Sequence, residues 1–219
     1  IGESLNHCQP SVVIEIQEYR DTDFSQLVED YAQANPEKVM EMPHVASAVY
    51  GTGNARVVEL TFTYQNSRDA LRTMQERVNN IFDSAALYVS GEGEDYQKYS
   101  QLYAFLMERF DYSFDTSIPP AYSLLCHGVG DSRAFAMAYA TMCRKADVEC
   151  WVVSGSKNGE AWYWNLICED GVYYHVDLLE SRAVGEFTKL SDEQMSGYVW
   201  DYSAYPAAGS QTAATEITE

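Results

Sequence analysis

The sequence predicts an α+β protein in two units, a small β-α-β-β-α unit followed by a larger unit of helices and an antiparallel sheet. Three observations carry this. Strand-like alternation and helix-like spacing come in separate blocks rather than in a steady βαβ rhythm. The composition turns glycine-rich and acidic at SGEGEDYQ (90–97), which marks a boundary. Glu169-Asp170-Gly171 lies between two runs rich in aromatic and β-branched residues, a hairpin signal. The expected units are therefore 1–89 and 90–207, with a polar tail over 208–219.

In the first unit SVVIEIQ (11–17) alternates as a strand does. DFSQLVEDYAQ (23–33) has Phe24, Leu27, Val28 and Tyr31 at helical spacing and stops before Asn35-Pro36. Strand-like runs over 39–51 and 55–65 flank the turn former GTGN, and a helix is expected from Ser67 to Ile81 with Leu71, Met74, Val78 and Ile81 on one face. Both helices are expected on one side of the sheet. Nothing in this unit clusters chemically, so its expected role is structural or adhesive.

The second unit opens with a helix from Asp95 to Phe110, apolar at Tyr99, Leu102, Tyr103, Leu106 and Phe110, and SIPPAY makes a turn. The stretch GVGDSRAFAMAY (128–139) then reads as a glycine loop feeding a helix that runs from Ser132 to Lys145. Gly128 and Gly130 free the backbone, and Asp131 or Ser132 can cap the first N–H groups. Strands are expected over 149–155, 161–169 and 171–179.

With 14 Lys and Arg against 33 Asp and Glu, the chain has a formal charge of -19. That charge repels phosphate backbones, so neither nucleic acid nor an anionic membrane surface is an expected partner. No apolar run is long enough to span a membrane, and IGESLNHCQP does not read as a signal peptide. A start at Ile rather than Met suits a trimmed portion of a longer precursor. The cysteines are Cys8, Cys126, Cys143, Cys150 and Cys168. None forms a C-x-x-C pair and histidine is scarce, so no metal site is expected. Cys143 and Cys150 fall at a helix end and a strand, where small buried thiols are common, and the pairing of the five stays open.

A nucleophile at a helix N-terminus is favoured by the partial positive charge there, and Ser132 is the residue in that place. Cys126-His127 precedes the glycine loop and is read as a packed or exposed loop pair. Gly128-x-Gly130 is not a dinucleotide loop, because Arg133 stands where the third glycine belongs. Trp162, Tyr163, Trp164, Tyr173 and Tyr174 are dense on two paired strands. Most are read as core, with Trp162 expected to show an edge to a cleft.

From Asp95 to Pro206 the chain resembles the transglutaminase-like superfamily. The resemblance rests on Ala121-Tyr122, Gly128-Val129-Gly130-Asp131-Ser132-Arg133-Ala134-Phe135-Ala136, Val153-Ser154-Gly155, Trp162-Tyr163-Trp164-Asn165 and Tyr174-His175-Val176-Asp177, in the family's order and spacing. It implies a papain-like cysteine protease type of core, in which active members use a Cys-His-Asp triad without a cofactor. Carried over residue by residue, the triad positions are Ser132, Trp162 and Asp177, with Trp164, Asn165 and His175 around the cleft. A serine hydroxyl depends wholly on an adjacent base, and indole has a donor N–H but no basic nitrogen. The resemblance therefore implies a catalytically inactive bacterial domain, secreted or at the cell surface, that binds a protein, peptide or cell-wall glycan. The alternative is a serine-type amidase or peptidase using Ser132 with His175 and Asp177, since His175 and Asp177 are two residues apart on one strand.

Overall fold

A computed structural model describes residues 1–89, 94–114 and 120–209. The chain folds as α1 (Gly2–Asn6), β1 (Ser11–Ile16), α2 (Phe24–Ala34), β2 (His44–Tyr50), β3 (Arg56–Thr63) and α3 (Arg68–Tyr88). It continues through α4 (Asp95–Arg109), β4 (Asp111–Tyr112), the single turn α5 (Pro120–Tyr122), a π-helical turn (Ser123–His127), β5 (Val129–Gly130) and α6 (Ser132–Lys145). Strands β6 (Cys150–Lys157), β7 (Glu160–Glu169) and β8 (Val172–Val176), helix α7 (Leu178–Val184) and strand β9 (Tyr198–Trp200) complete it. The mixed helix-and-sheet class expected from the sequence is the class observed.

The first sheet is antiparallel in the order β1-β3-β2. Val58, Leu60 and Phe62 of β3 point to the face covered by Phe24, Val28 and Ala32 of α2 and by Leu5 of α1. Alternation does the sorting, because every second residue of β3 faces the helices. Asp23 caps α2 through the N–H groups of Ser25 and Gln26, both at 3.0 Å.

Helix α3 departs from expectation twice. It runs on to Tyr88 rather than ending at Ile81, and it does not cover this sheet. Its buried residues Leu71, Val78, Phe82 and Ala85 join the main core with Leu102 and Leu106 of α4 and Phe135, Ala138 and Met142 of α6. A sequence period shows which side of a helix is apolar, but not which partner that side meets. Lys145 to Asp83 at 2.7 Å and Arg144 to Glu37 at 3.0 Å also tie α6 to the preceding unit.

The second sheet is antiparallel in the order β8-β7-β6-β9. Its strands present two different faces. Ile167 and Val176 pack toward α6, while Val153, Trp164 and Leu166 pack against Met195, Trp200 and Ala208 of the C-terminal segment. The helix that begins at Ser132 therefore lies on one side of the sheet, and the last described residues wrap the other. Ala208 is pinned by the Gly209 N–H donating to the Tyr173 carbonyl at 2.8 Å; the rest of the expected polar tail lies outside the described residues.

Two differences in this half matter for the site. The strand expected over 171–179 ends at Val176, and Asp177 caps α7 instead. At Gly155, β6 passes so close to its neighbours that a Cβ would collide with the Val199 carbonyl oxygen and lie 2.8 Å from the Trp164 ring. Gly155→Ala is expected to cost about 2–3 kcal/mol in urea unfolding, because the contact is with backbone and a buried ring. A loss under about 0.5 kcal/mol, the usual range of surface changes, would show that β9 can move away freely.

Candidate active site

The glycine loop is held from both sides. The π-helical turn ends at Gly128 with φ 85°, a left-handed conformation that favours glycine. Asp111 and Ser113 donate their N–H groups to the Gly128 and Gly130 carbonyls at 2.8 Å, so β4 and β5 run parallel beside the helix start. A Cβ at Gly130 would come 2.7 Å from the Ala134 Cβ, which explains glycine there in steric terms. Asp131 then accepts from the Ala134 N–H at 2.8 Å, and Ser132 becomes the first residue of α6.

Ser132 is 7% exposed, and its hydroxyl oxygen accepts from the Tyr163 N–H at 3.3 Å. No imidazole stands within hydrogen-bond distance of that oxygen among the described residues. The hydroxyl is thus held by backbone and carries no base.

Asp177 gathers five donors. One carboxylate oxygen accepts from the N–H groups of Leu179 and Glu180, at 3.0 and 3.1 Å, and so caps α7. The other accepts from Trp162 Nε1 at 2.8 Å, the Tyr198 hydroxyl at 2.7 Å and Lys157 Nζ at 3.2 Å. The carboxylate is 2% exposed, and these contacts replace the water it has lost. Burial works to lower the Lys157 pKa, but hydrogen bonds to Glu180 and Tyr198 and the Asp177 charge outweigh it and hold the ammonium above its ordinary value. Burial, with the Asp177 charge, pushes the Tyr198 phenol up as well. Lys157 and Tyr198 are therefore firmly protonated donors to Asp177. Lys157 Nζ also sits 5.1 Å above the ring centres of both Trp162 and Tyr198.

The structure thus brings Trp162 and Asp177 together, and Ser132 and Asp177 line a tight interior pocket with Trp164 and Asn165. It also brings in Lys157 and Tyr198, which sequence reasoning missed. Neither belongs to a motif quoted above, and no local pattern links them to Asp177. They meet it only because β9 pairs with β6 at Lys157↔Tyr198.

Three expected cleft residues lie in the interior instead. Trp164 is 1% exposed and packs edge-on to Tyr198 and Trp200, because alternation along β7 turns it into the core behind the sheet. Asn165 points the other way, and its Nδ2 donates to the Ala136 and Trp151 carbonyls at 2.9 and 3.2 Å. Its Oδ1 is buried with no hydrogen-bond partner among the described residues.

His175 is 0% exposed, and both of its ring nitrogens are engaged. Trp164 Nε1 can only donate, so Nδ1 accepts from it at 2.9 Å, and Nε2–H donates to Asp192 at 2.8 Å. The structure does not bring His175 to Ser132, and the Ser132–His175–Asp177 arrangement does not form. Burial lowers the His175 pKa below 6.5, outweighing the Asp192 hydrogen bond that would raise it. The unfolded chain then binds this proton more readily than the native one. Stability from this group is present above pH 6.5 and is lost as the pH falls from there through the native pKa. In urea melts across that window, wild type should lose stability on acidification relative to His175→Gln. A flat difference between the two would contradict the assignment.

Trp162 is half-buried, and its outer side borders an open groove of ≈ 470 Å³ lined also by Asp111, Tyr112, Leu179, Arg182 and Ala183. Tyr112 lies 6.0 Å from Trp162 and 4.9 Å from the exposed ring of Phe114, between ring centres. Arg182 is paired with Asp111 at 2.8 Å. Cys126, in the loop pair before the glycine turn, is partly buried, and its carbonyl accepts from Arg77 at 3.3 Å. Among the described residues no His, Cys, Asp and Glu cluster could hold a metal ion, and no helix is long and apolar enough to cross a membrane.

The model of the Transglutaminase-like superfamily matches residues 83–206. No curated protein matches. Among solved structures, a TGase is 9% identical with a TM-score of 0.41, over 78% of this chain and 51% of that one. A candidate protease from Parabacteroides distasonis is 10% identical with a TM-score of 0.37, over 83% and 42%. A candidate cysteine protease from Cytophaga hutchinsonii is 12% identical with a TM-score of 0.39, over 86% and 73%. The chain therefore spans about half the length of the first two. The family match covers more than half of the present chain and contains the glycine loop, Ser132, Trp162 and Asp177. The chain belongs to the transglutaminase-like superfamily.

Proposed function

We propose that this is a catalytically inactive transglutaminase-like domain serving as a binding or scaffolding module outside the cell, for a protein, peptide or cell-wall ligand. The observation that carries the reading is the Trp162 Nε1–Asp177 hydrogen bond of 2.8 Å, made where an active member of the family would need a base. Indole fills the space and satisfies the carboxylate, but it cannot take a proton from Ser132. Loss of nucleophile type and base together costs several powers of ten in rate, on the order of what triad deletions cost elsewhere. The cell-surface setting and the ligand class rest on the family resemblance. The groove beside Trp162, with Tyr112, Phe114 and Arg182, offers residue types that dominate recognition surfaces.

Two measurements test this. Acyl transfer and amide hydrolysis by wild type should equal those of Ser132→Ala, and turnover above that control would overturn the inactive reading. Binding of cell-wall muropeptides, measured by calorimetry, should weaken at least tenfold in Trp162→Ala while Val13→Ala on the distant first sheet leaves it unchanged. Equal weakening in both variants would remove the groove from the proposal.

A further inference from the structure

Cys143 and Cys150 occupy opposite ends of one tight turn. Helix α6 closes with the Val148 N–H donating to the Cys143 carbonyl at 3.0 Å and the Asp147 N–H to that of Arg144 at 3.3 Å. This is a Schellman closure, with Asp147 at φ 57° in the left-handed position. The chain enters β6 at once, and Cys150 is its first residue. Cys150 pairs across the sheet with Ile167 and so lies on the face that packs toward α6, and Cys143 in the last turn of α6 belongs to the same core. The two sulfurs differ in access. Cys143 is wholly buried, whereas Cys150 is partly exposed and borders a groove of ≈ 420 Å³ with Asp30, Thr141, Arg144 and Tyr163.

The other cysteines are placed elsewhere. Cys150 pairs across the sheet with Ile167, so Cys168 projects from the opposite face, beside Tyr173. Cys8 lies near Arg68, Arg72 and Glu41, and Cys126 lies near Tyr122 and Arg77.

We propose that Cys143 and Cys150 form a specific intrachain disulfide when the protein meets a small-molecule disulfide such as oxidised glutathione. The bond staples the C-terminal end of the helix that carries Ser132 to the sheet that carries Trp162. Cys150, reached through the groove, loses its proton to solvent and attacks one glutathione sulfur, and one glutathione thiolate leaves. The Cys143 sulfur then gives up its proton, attacks the Cys150 sulfur of the mixed disulfide and expels the second glutathione, which takes up a proton. Two protein thiols are oxidised and one disulfide is reduced to two thiols. Burial holds the Cys143 thiol well above its ordinary pKa, so the second step sets the rate. The Schellman turn already brings the chain from Cys143 back to Cys150 on the face of the sheet toward α6, and the bond mainly restricts the unfolded chain.

The test treats the full chain with oxidised glutathione, quenches it, alkylates it under denaturing conditions and maps the peptides by mass spectrometry. Wild type should retain three of its five free thiols and yield a Cys143–Cys150 linked peptide. Its Tm should rise by about 5 °C, as expected for a loop of this size, and fall back on reduction. Cys143→Ser should stop at a glutathione adduct on Cys150 with no rise in Tm, and Cys150→Ala should leave Cys143 unmodified. Five free thiols after oxidation, a link to another cysteine, or a lasting glutathione adduct on wild-type Cys150 would each overturn the proposal. The wild-type map decides by itself if a variant fails to fold.

Discussion

Asp177→Ala is expected to lower the unfolding free energy by about 3–5 kcal/mol, the largest effect of any single polar change in this protein. The carboxylate is buried and is the common acceptor for Trp162, Tyr198 and Lys157, as well as the cap of α7. Its removal leaves an indole N–H and a phenol O–H without their acceptor, each costing about 1–3 kcal/mol when buried. The lost cap adds about 1 kcal/mol. Lys157 retains Glu180 at 2.6 Å, which limits the cost of its lost partner. Asp177→Asn tells the carboxylate apart from mere volume. All three side-chain donors converge on one oxygen and the two backbone donors on the other, so an amide NH2 must face donors whichever way it is turned. The asparagine variant should therefore fall within about 1 kcal/mol of the alanine variant in urea unfolding. A near-native asparagine variant would mean that the five contacts do not depend on charge.

Ser132→Cys combined with Trp162→His should raise the alkylation rate of the introduced thiol at pH 6 about 100-fold over Ser132→Cys alone. An unassisted thiol has a pKa of about 8.5 and is well under 1% thiolate at that pH. A thiol at a helix N-terminus beside an imidazolium is depressed below about 7.5, and often far lower. The loop, the Asp131 cap and the Asp177 acceptor are all in place, and Trp162 Nε1 already donates to Asp177, as a histidine at that position is expected to do. Iodoacetamide labelling followed by peptide mapping separates the introduced thiol from the five native ones. If single and double variants label at the same rate, the helix start and the Trp162 position do not converge on one site. Trp162→His alone should show no acyl transfer above Ser132→Ala, because the Ser132 hydroxyl would still sit against the Tyr163 N–H.

The helix at Ser132 was fully legible in the chain. Its start follows from Gly130-Asp131-Ser132 and its end from the polar Arg144-Lys145, and the observed bounds are Ser132 and Lys145. The β7–β8 hairpin was equally plain: Asp170 and Gly171 have φ 52° and 75°, the two positive angles of a type I′ turn. By contrast, GVYYHVDLL (171–179) reads as one strand, and only the fold shows Asp177 ending it and starting a helix. Lys157 and Tyr198 were invisible as site residues because their link to Asp177 depends on how β9 docks beside β6. His175 is a buried structural residue rather than a partner of Ser132. Its spacing to Asp177 put it near the site, yet its ring nitrogens went to Trp164 and Asp192.

Turns, caps and apolar periods act over a few residues, so the chain by itself determined most of its longer elements, its glycine loop and the chemical types at positions 132, 162 and 177. Which donor meets which acceptor is settled between segments far apart in sequence, where burial penalises every unpaired polar group. Only the tertiary structure therefore decided that Trp162, Tyr198 and Lys157 share one carboxylate, that His175 belongs to the core, and that α3 packs with α4 and α6 rather than on the first sheet.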